Sequence, residues 1–278
     1  MREMSLRDVQ MVCLDILQEF HNFCVKNNIR YSLSGGTLLG AIRHNGFIPW
    51  DDDIDVQMPR PDFEKFVRTY KSEDGHFKLY HYLLPECRKT MGLHYGRLCD
   101  MKKSLVELKS TFWNTERTGM WIDIFVCDGI TSDNAEAQSF IKENKKFEHL
   151  FNWSIYKDAP WSMLNNTGTI NLASKFVLKK IYAMFANHDK IVDQFDVLRR
   201  RYDYDSSHYF FACSHNGMGE WQPKKNMERF ILHKFEDREF YIMAGYDENL
   251  RGLYGDYMQI PPIEERQYHS NYKYCWRE

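Results

Sequence analysis

The segment Ile48-Pro49-Trp50-Asp51-Asp52-Asp53-Ile54-Asp55-Val56 places four carboxylates within five residues between apolar neighbours. Ile54, Val56 and Met58 alternate with polar residues, which predicts a strand with one buried face. Alternation turns Asp53 and Asp55 to the same side, away from Ile54 and Val56. Two carboxylates so placed repel and raise each other's pKa unless a cation lies between them. A hard divalent ion such as Mg²⁺ or Mn²⁺, which takes oxygen ligands, resolves that conflict. Asp51 shares the parity at the strand entrance, where it binds metal, caps a turn or faces solvent. Asp52 points the other way and reads as structural. A solvated acidic loop is the rival reading of the run, and the apolar flanks weigh against it.

A further carboxylate stands in Trp121-Ile122-Asp123-Ile124-Phe125. An aspartate centred in an apolar strand is costly unless it is paired or ligates a metal. If this strand lies beside Asp53 and Asp55, three carboxylates converge. Asp123 is then a metal ligand or a general base on an attacking hydroxyl; a satisfied buried aspartate is the alternative. Asp128, beside Gly129, reads as the turn closing that strand. Upstream, Ser34-Gly35-Gly36-Thr37 follows a short strand, Ile29 to Leu33, and opens a helix, Thr37 to His44. Glycines there let backbone N–H groups approach an anion, and the helix dipole favours it. The pair alone also makes ordinary turns; the acidic strand that follows is what suggests metal-bound phosphates. Arg43 and His44 either reach phosphate oxygens or complement the helix C-terminus.

Composition removes several function classes. The chain has 278 residues, 37 Lys+Arg against 39 Asp+Glu, and 43% hydrophobic residues, so it is an ordinary globular composition with no basic footprint for nucleic acid. Seven scattered cysteines without a Cys-x-x-Cys pair give neither a disulfide framework nor a zinc knuckle. No apolar run is long enough to span a bilayer, and Met1 to Asp8 lacks the apolar region of a secretory signal. A cytoplasmic protein is expected, with peripheral contact at the inner face of the plasma membrane. Ile170 to Ala186, with Lys175, Lys179 and Lys180, reads either as an ordinary helix with exposed lysines or as one lying on a membrane surface. Aromatic content of 15% suits core, sugar platform or cation cage.

The remaining pattern predicts helices over Leu6 to Val25, Phe63 to Tyr70 with Asp62 as N-cap, Asn134 to Leu150, Ile170 to Arg201 and Tyr246 to Tyr254. Phe77 to Lys109 reads as an antiparallel set of strands, and Met227 to Ala244 as a hairpin. The fold class is α+β: an α/β-type catalytic core over residues 1–130, then a helical elaboration and C-terminal region over 131–278 that completes the site. One continuous domain is the alternative division.

The run SLSGGTLLGAIRHNGFIPWDDDIDVQMPRPDFEKF, Ser32 to Phe66, closely resembles the LicD family, and WIDIF and the late YGDYMQIPP, with Arg266 and His269, resemble its landmarks. That family is named for phosphocholine transferases of bacterial surface glycans and extends to fukutin-related ribitol-phosphate transferases. The resemblance implies a nucleotidyltransferase-like mixed sheet. It implies that Gly35, Gly36 and Thr37, with Arg43, hold donor phosphates, that Asp53 and Asp55 bind Mg²⁺ (or Mn²⁺), and that Asp123 is the third carboxylate. Asp51, His44, Tyr254, Arg266 and His269 are the outer candidates. The implied reaction moves a phospho-alcohol, with phosphocholine leading, from a CDP-activated donor such as CDP-choline to a hydroxyl of a glycan or lipid-linked glycan, releasing CMP. A ribitol-phosphate, glycerol-phosphate or other phospho-sugar transferase, a nucleotidyltransferase, and a non-catalytic binding module are the alternatives. Trp50, Tyr95, Trp113, Trp121, Tyr254 and Tyr257 are candidates for a choline cage, with core packing the rival for each.

Overall fold

The computed structural model describes residues 1–88, 94–108, 118–161, 170–212, 217–266 and 272–278. The first helix, α1 (Leu6–Lys26), starts at a reciprocal cap between Ser5 and Asp8 and buries Val9, Val12, Cys13, Ile16, Leu17, Phe20 and Cys24, one face at helical spacing. The Ile29 N–H donates to the Cys24 carbonyl at 2.9 Å, so the strand expected from Ile29 shortens to β1 (Ser32–Leu33). Helix α2 (Gly35–His44) begins two residues earlier than expected, with both glycines in its first turn.

Strand β2 (Asp55–Pro59) starts at the last aspartate of the acidic run, so Asp51 to Asp53 precede it. Helix α3 (Arg60–Thr69) follows Pro59 at its N-cap and carries Pro61 in its first turn, which suits proline because those N–H groups have no helical partner. Asp62 is therefore not the N-cap. Its carboxylate instead accepts from the Arg30 backbone N–H and guanidinium, both at 2.8 Å.

Strands β3 (Phe77–Tyr80) and β4 (Gly96–Asp100) pair antiparallel, as expected, but β5 (Ser104–Leu108) pairs with β11 (Tyr272–Trp276) near the C-terminus. The long strand β6 (Trp121–Ile130) runs through Asp128-Gly129 rather than ending there. Asp128 is buried because Arg60 of α3 and Arg199 both bind its carboxylate, Arg199 at 2.6 Å. That double pairing removes the cost that made a turn the better expectation.

The main sheet runs β1-β2-β6-β4-β3; β2 lies parallel to β6, and the other pairs along this path are antiparallel. The far end of β6 pairs with β7 (Tyr209–Ala212), which pairs with β8 (Trp221–Pro223). Parallel and antiparallel strands with flanking helices make the class α+β. Helices α4 (Asn134–Ser154), α5 (Ile170–Phe185) and α6 (His188–Arg199) follow β6, so the single helical stretch expected after Ile170 is two helices. Phe140, Phe151, Val192 and Phe195 of these helices build a second apolar cluster. The hairpin of β9 (Phe230–Phe235) and β10 (Arg238–Met243) and helix α7 (Tyr246–Tyr254) form where expected. The Met243 N–H donates to Ser32 Oγ at 2.8 Å, tying β10 to β1. The six described cysteines are free and buried.

Candidate active site

The site is assembled where α2, β2, β6 and β4 meet. The Ser34 N–H donates to the Asp55 carbonyl at 3.0 Å, and the Asp55 N–H donates to Thr37 Oγ1 at 2.8 Å. These two bonds fasten the first turn of α2 to the first residue of β2. Gly35 takes a left-handed φ of +52°, and a Cβ there would stand 3.2 Å from Asp55 Oδ2. A Cβ on Gly36 would meet Asp51 Oδ2 at 2.9 Å. The glycines are needed because backbone and carboxylates approach this closely.

Sheet register does the rest. Asp55 is the parallel partner of Asp123, and Arg97 is its antiparallel partner on the other side. Arg97 grips Asp123 with Nε to Oδ1 at 2.7 Å and Nη2 to Oδ2 at 3.2 Å, while its guanidinium lies 4.0 Å from the Trp121 ring centre. Carboxylate oxygens of Asp51, Asp52 and Asp53 lie within 4.8 Å of one another. Burial, then Asp53, Asp123, Asp51 and Glu220 in turn, push the Asp55 carboxyl well above the ordinary range. A desolvated acid among like charges is the donor set a hard divalent cation fits, because the ion supplies the missing countercharge.

A cleft of about 210 Å³ opens beside these groups, lined by Asp53, Asp55 and Asp123 and by the rings of Tyr95, Trp121, Phe125, Tyr272 and Tyr274. Asp52 lines it too and accepts from the Tyr274 hydroxyl at 2.6 Å. Strand parity does not turn Asp52 away, because the residue lies ahead of β2.

The outer candidates divide. The Tyr254 hydroxyl lies 3.8 Å from where a Gly35 Cβ would be, and burial with Asp55 and Glu220 raises its pKa. Arg266 stacks 4.1 Å above Trp50, next to Asp51. Arg43 lies eight residues beyond Gly35, about 12 Å along the helix. It donates to the carbonyls of Tyr257 at 2.8 Å and Gln259 at 3.2 Å, and to His44 Nε2 at 3.0 Å. Burial and Arg43 lower the His44 pKa. The structure thus sets Arg43 against the C-terminal loop, while His44 lines a hollow with Lys234, Glu236 and Arg238 of the β9–β10 hairpin. His269 and Trp113 lie outside the described residues, and Tyr257 donates to Asp247, away from the cleft.

Sequence reasoning missed Arg97, Glu220, Tyr272 and Tyr274. The Tyr-x-Tyr spacing of the last two signals a shared strand face. Nothing local marks Arg97 or Glu220, because Arg97 reaches Asp123 through strand pairing and Glu220, at the end of a short 3-10 turn before β8, comes near Asp55 only through the tertiary fold.

Residues 28–159 match the family described as LicD/FKTN/FKRP, nucleotidyltransferase domain. The chain is 32% identical, over 97% of its length and 97% of the relative's, to the lipopolysaccharide cholinephosphotransferase LicD of Haemophilus influenzae. It is also 46% identical over 67 residues to the human ribitol 5-phosphate transferase FKRP, covering 23% of this chain and 14% of that one.

Proposed function

Since the chain belongs to the LicD family, we propose that it is a metal-dependent transferase carrying phosphocholine from CDP-choline to a hydroxyl of a cell-surface glycan. Asp53 and Asp55, with Asp51 beside them, are the residues that would hold Mg²⁺ or Mn²⁺, and Asp123 completes the acidic face. When bound there, such an ion would supply countercharge to the diphosphate and to the leaving CMP.

This chain's residues do the remaining work. The first turn of α2 presents N–H groups at Gly35 and Gly36 toward the donor phosphates. The acceptor hydroxyl oxygen forms a bond to the phosphorus bearing the choline, and the bond from that phosphorus to the CMP oxygen breaks. The hydroxyl proton passes to Asp123, where Arg97 uses two of the carboxylate's roughly four lone-pair positions and leaves others open. The core is proposed to be nucleotidyltransferase-like, and the protein to work in the cytoplasm.

The observation favouring choline over ribitol is the aromatic cleft. Arg97 already covers the Trp121 face, so the rings open to a quaternary ammonium are those of Tyr272 and Tyr274, which line the cleft together with Asp52, Asp53 and Asp55. Thermal shift against CDP-choline, CDP-ribitol, CDP-glycerol and CTP, each with Mg²⁺, tests the reading. Stabilisation by CDP-choline above the others is expected. Preference for CDP-ribitol moves the assignment to the ribitol-phosphate class, and stabilisation by CTP alone to a nucleotidyltransferase.

A further inference from the structure

The geometry points to the outer faces of α4 and α5 as a docking surface for an anionic lipid membrane. Among the described residues no helix is long and apolar enough to cross a bilayer, yet α5 exposes Leu178, Ile181, Met184 and Phe185, the last at 86% of its surface. Leu178, Ile181 and Phe185 lie three and four residues apart, so they form one outward ridge. The inward face of the same helix buries Phe176, Lys180 and Ala183, so the apolar ridge is additional to what packing requires. Lys180 donates to the Lys157 carbonyl at 3.0 Å and is not one of the solvated lysines expected from the sequence.

The neighbouring helix supplies charge. Lys142, Lys145, Lys146 and His149 of α4 surround a shallow hollow of about 480 Å³ floored by Leu150 and Trp153. Trp153 meets Tyr182 of α5 edge-on, ring centres 5.9 Å apart, so the basic row and the apolar ridge adjoin. The three acidic residues of α4 are turned to other tasks: Glu143 pairs with Arg201 at 2.8 Å, Glu136 accepts from Tyr202 at 2.6 Å, and Glu148 faces the buried His94 at 4.0 Å. Cations gathered beside an exposed apolar ridge, with a tryptophan between them, match a layer of anionic headgroups over hydrocarbon.

Co-sedimentation of the full chain with phosphatidylcholine vesicles, with and without one-third phosphatidylglycerol, tests the surface. Binding to the anionic vesicles that weakens with salt is expected. Leu178→Ser combined with Phe185→Ser should abolish it, and Lys145→Glu combined with Lys146→Glu should weaken it by about tenfold or more. All these positions are exposed, so melting temperature and turnover on a water-soluble acceptor should match the wild type. Wild type that ignores anionic vesicles, or variants that bind as wild type does, overturns the proposal. So does a wild-type dimer that the double serine variant converts to monomer without any vesicle binding, which would assign the ridge to a second copy. Vesicle binding is read without turnover, so its failure is distinct from failure of the transferase reading.

Discussion

Asp55 is fixed at both backbone ends by the first turn of α2 and is flanked across the sheet by Asp123. Its raised pKa has the same origin as its proposed role, unbalanced negative charge out of water. Asp53→Asn and Asp55→Asn should each lower turnover by about 10³-fold or more, since a lost metal contact removes several kcal/mol of transition-state stabilisation. Circular dichroism should show both variants folded, and Asp55→Asn should melt higher than wild type without metal. Near-normal rates in Mg²⁺ would remove the metal assignment.

His81 offers a residue-scale test of pH dependence. It is buried, accepts the Leu83 N–H on Nδ1 at 3.2 Å, and its pKa is held well below normal by burial and then by Arg60 and Arg199. A depressed histidine is neutral in the folded state, and the unfolded chain takes up its proton below about pH 6.5. Stability from this group is therefore full above that pH and is lost as pH falls. Its contribution to the slope approaches about 1.4 kcal/mol per pH unit. His81→Asn keeps an acceptor for Leu83 and does not titrate. Urea unfolding at pH 7 and pH 5 should show a shallower loss in the variant.

At the scale of elements, Asp128 joins three of them: β6, α3 through Arg60, and α6 through Arg199. Asp128→Ala leaves two buried guanidiniums without their shared countercharge and should cost about 3–5 kcal/mol in chemical denaturation. Local pattern located most elements well. The faces of α1, the β9–β10 hairpin and α7 were legible because their apolar spacing is set within each segment. Asp128 was misplaced because a lone aspartate beside glycine is a turn signal, and the two arginines that overrule it lie 68 and 71 residues away in sequence. The partner of β5 was equally hidden: β11 is near the end of the chain, and register between remote strands has no local signature.

Over the whole molecule, the first and last parts of the chain share the main core, in which Leu17 and Val56 belong to the same cluster as Phe240 and Leu250. The cleft depends on that closure, since Tyr272 and Tyr274 reach it from β11. Tyr274→Phe removes the hydroxyl bonded to Asp52, whose carboxylate lies within 4.8 Å of those of Asp51 and Asp53, and should weaken Mg²⁺ affinity by roughly tenfold, the scale for a hydrogen bond that supports a metal site from outside the ligands. Calorimetric titration of Mg²⁺ checks this, and unchanged affinity would make the contact purely structural.

The sequence by itself determined that Asp53, Asp55 and Asp123 belong to apolar surroundings and that a glycine turn precedes them, because residue type and short-range spacing carry that information. Tertiary structure alone decided that Arg97 grips Asp123, that Tyr254 closes on Gly35 and that Arg43 turns to the C-terminal loop. Those outcomes depend on strand register and on packing between segments far apart in the chain. Free energies of that kind belong to pairs of surfaces and are encoded in no single stretch of residues.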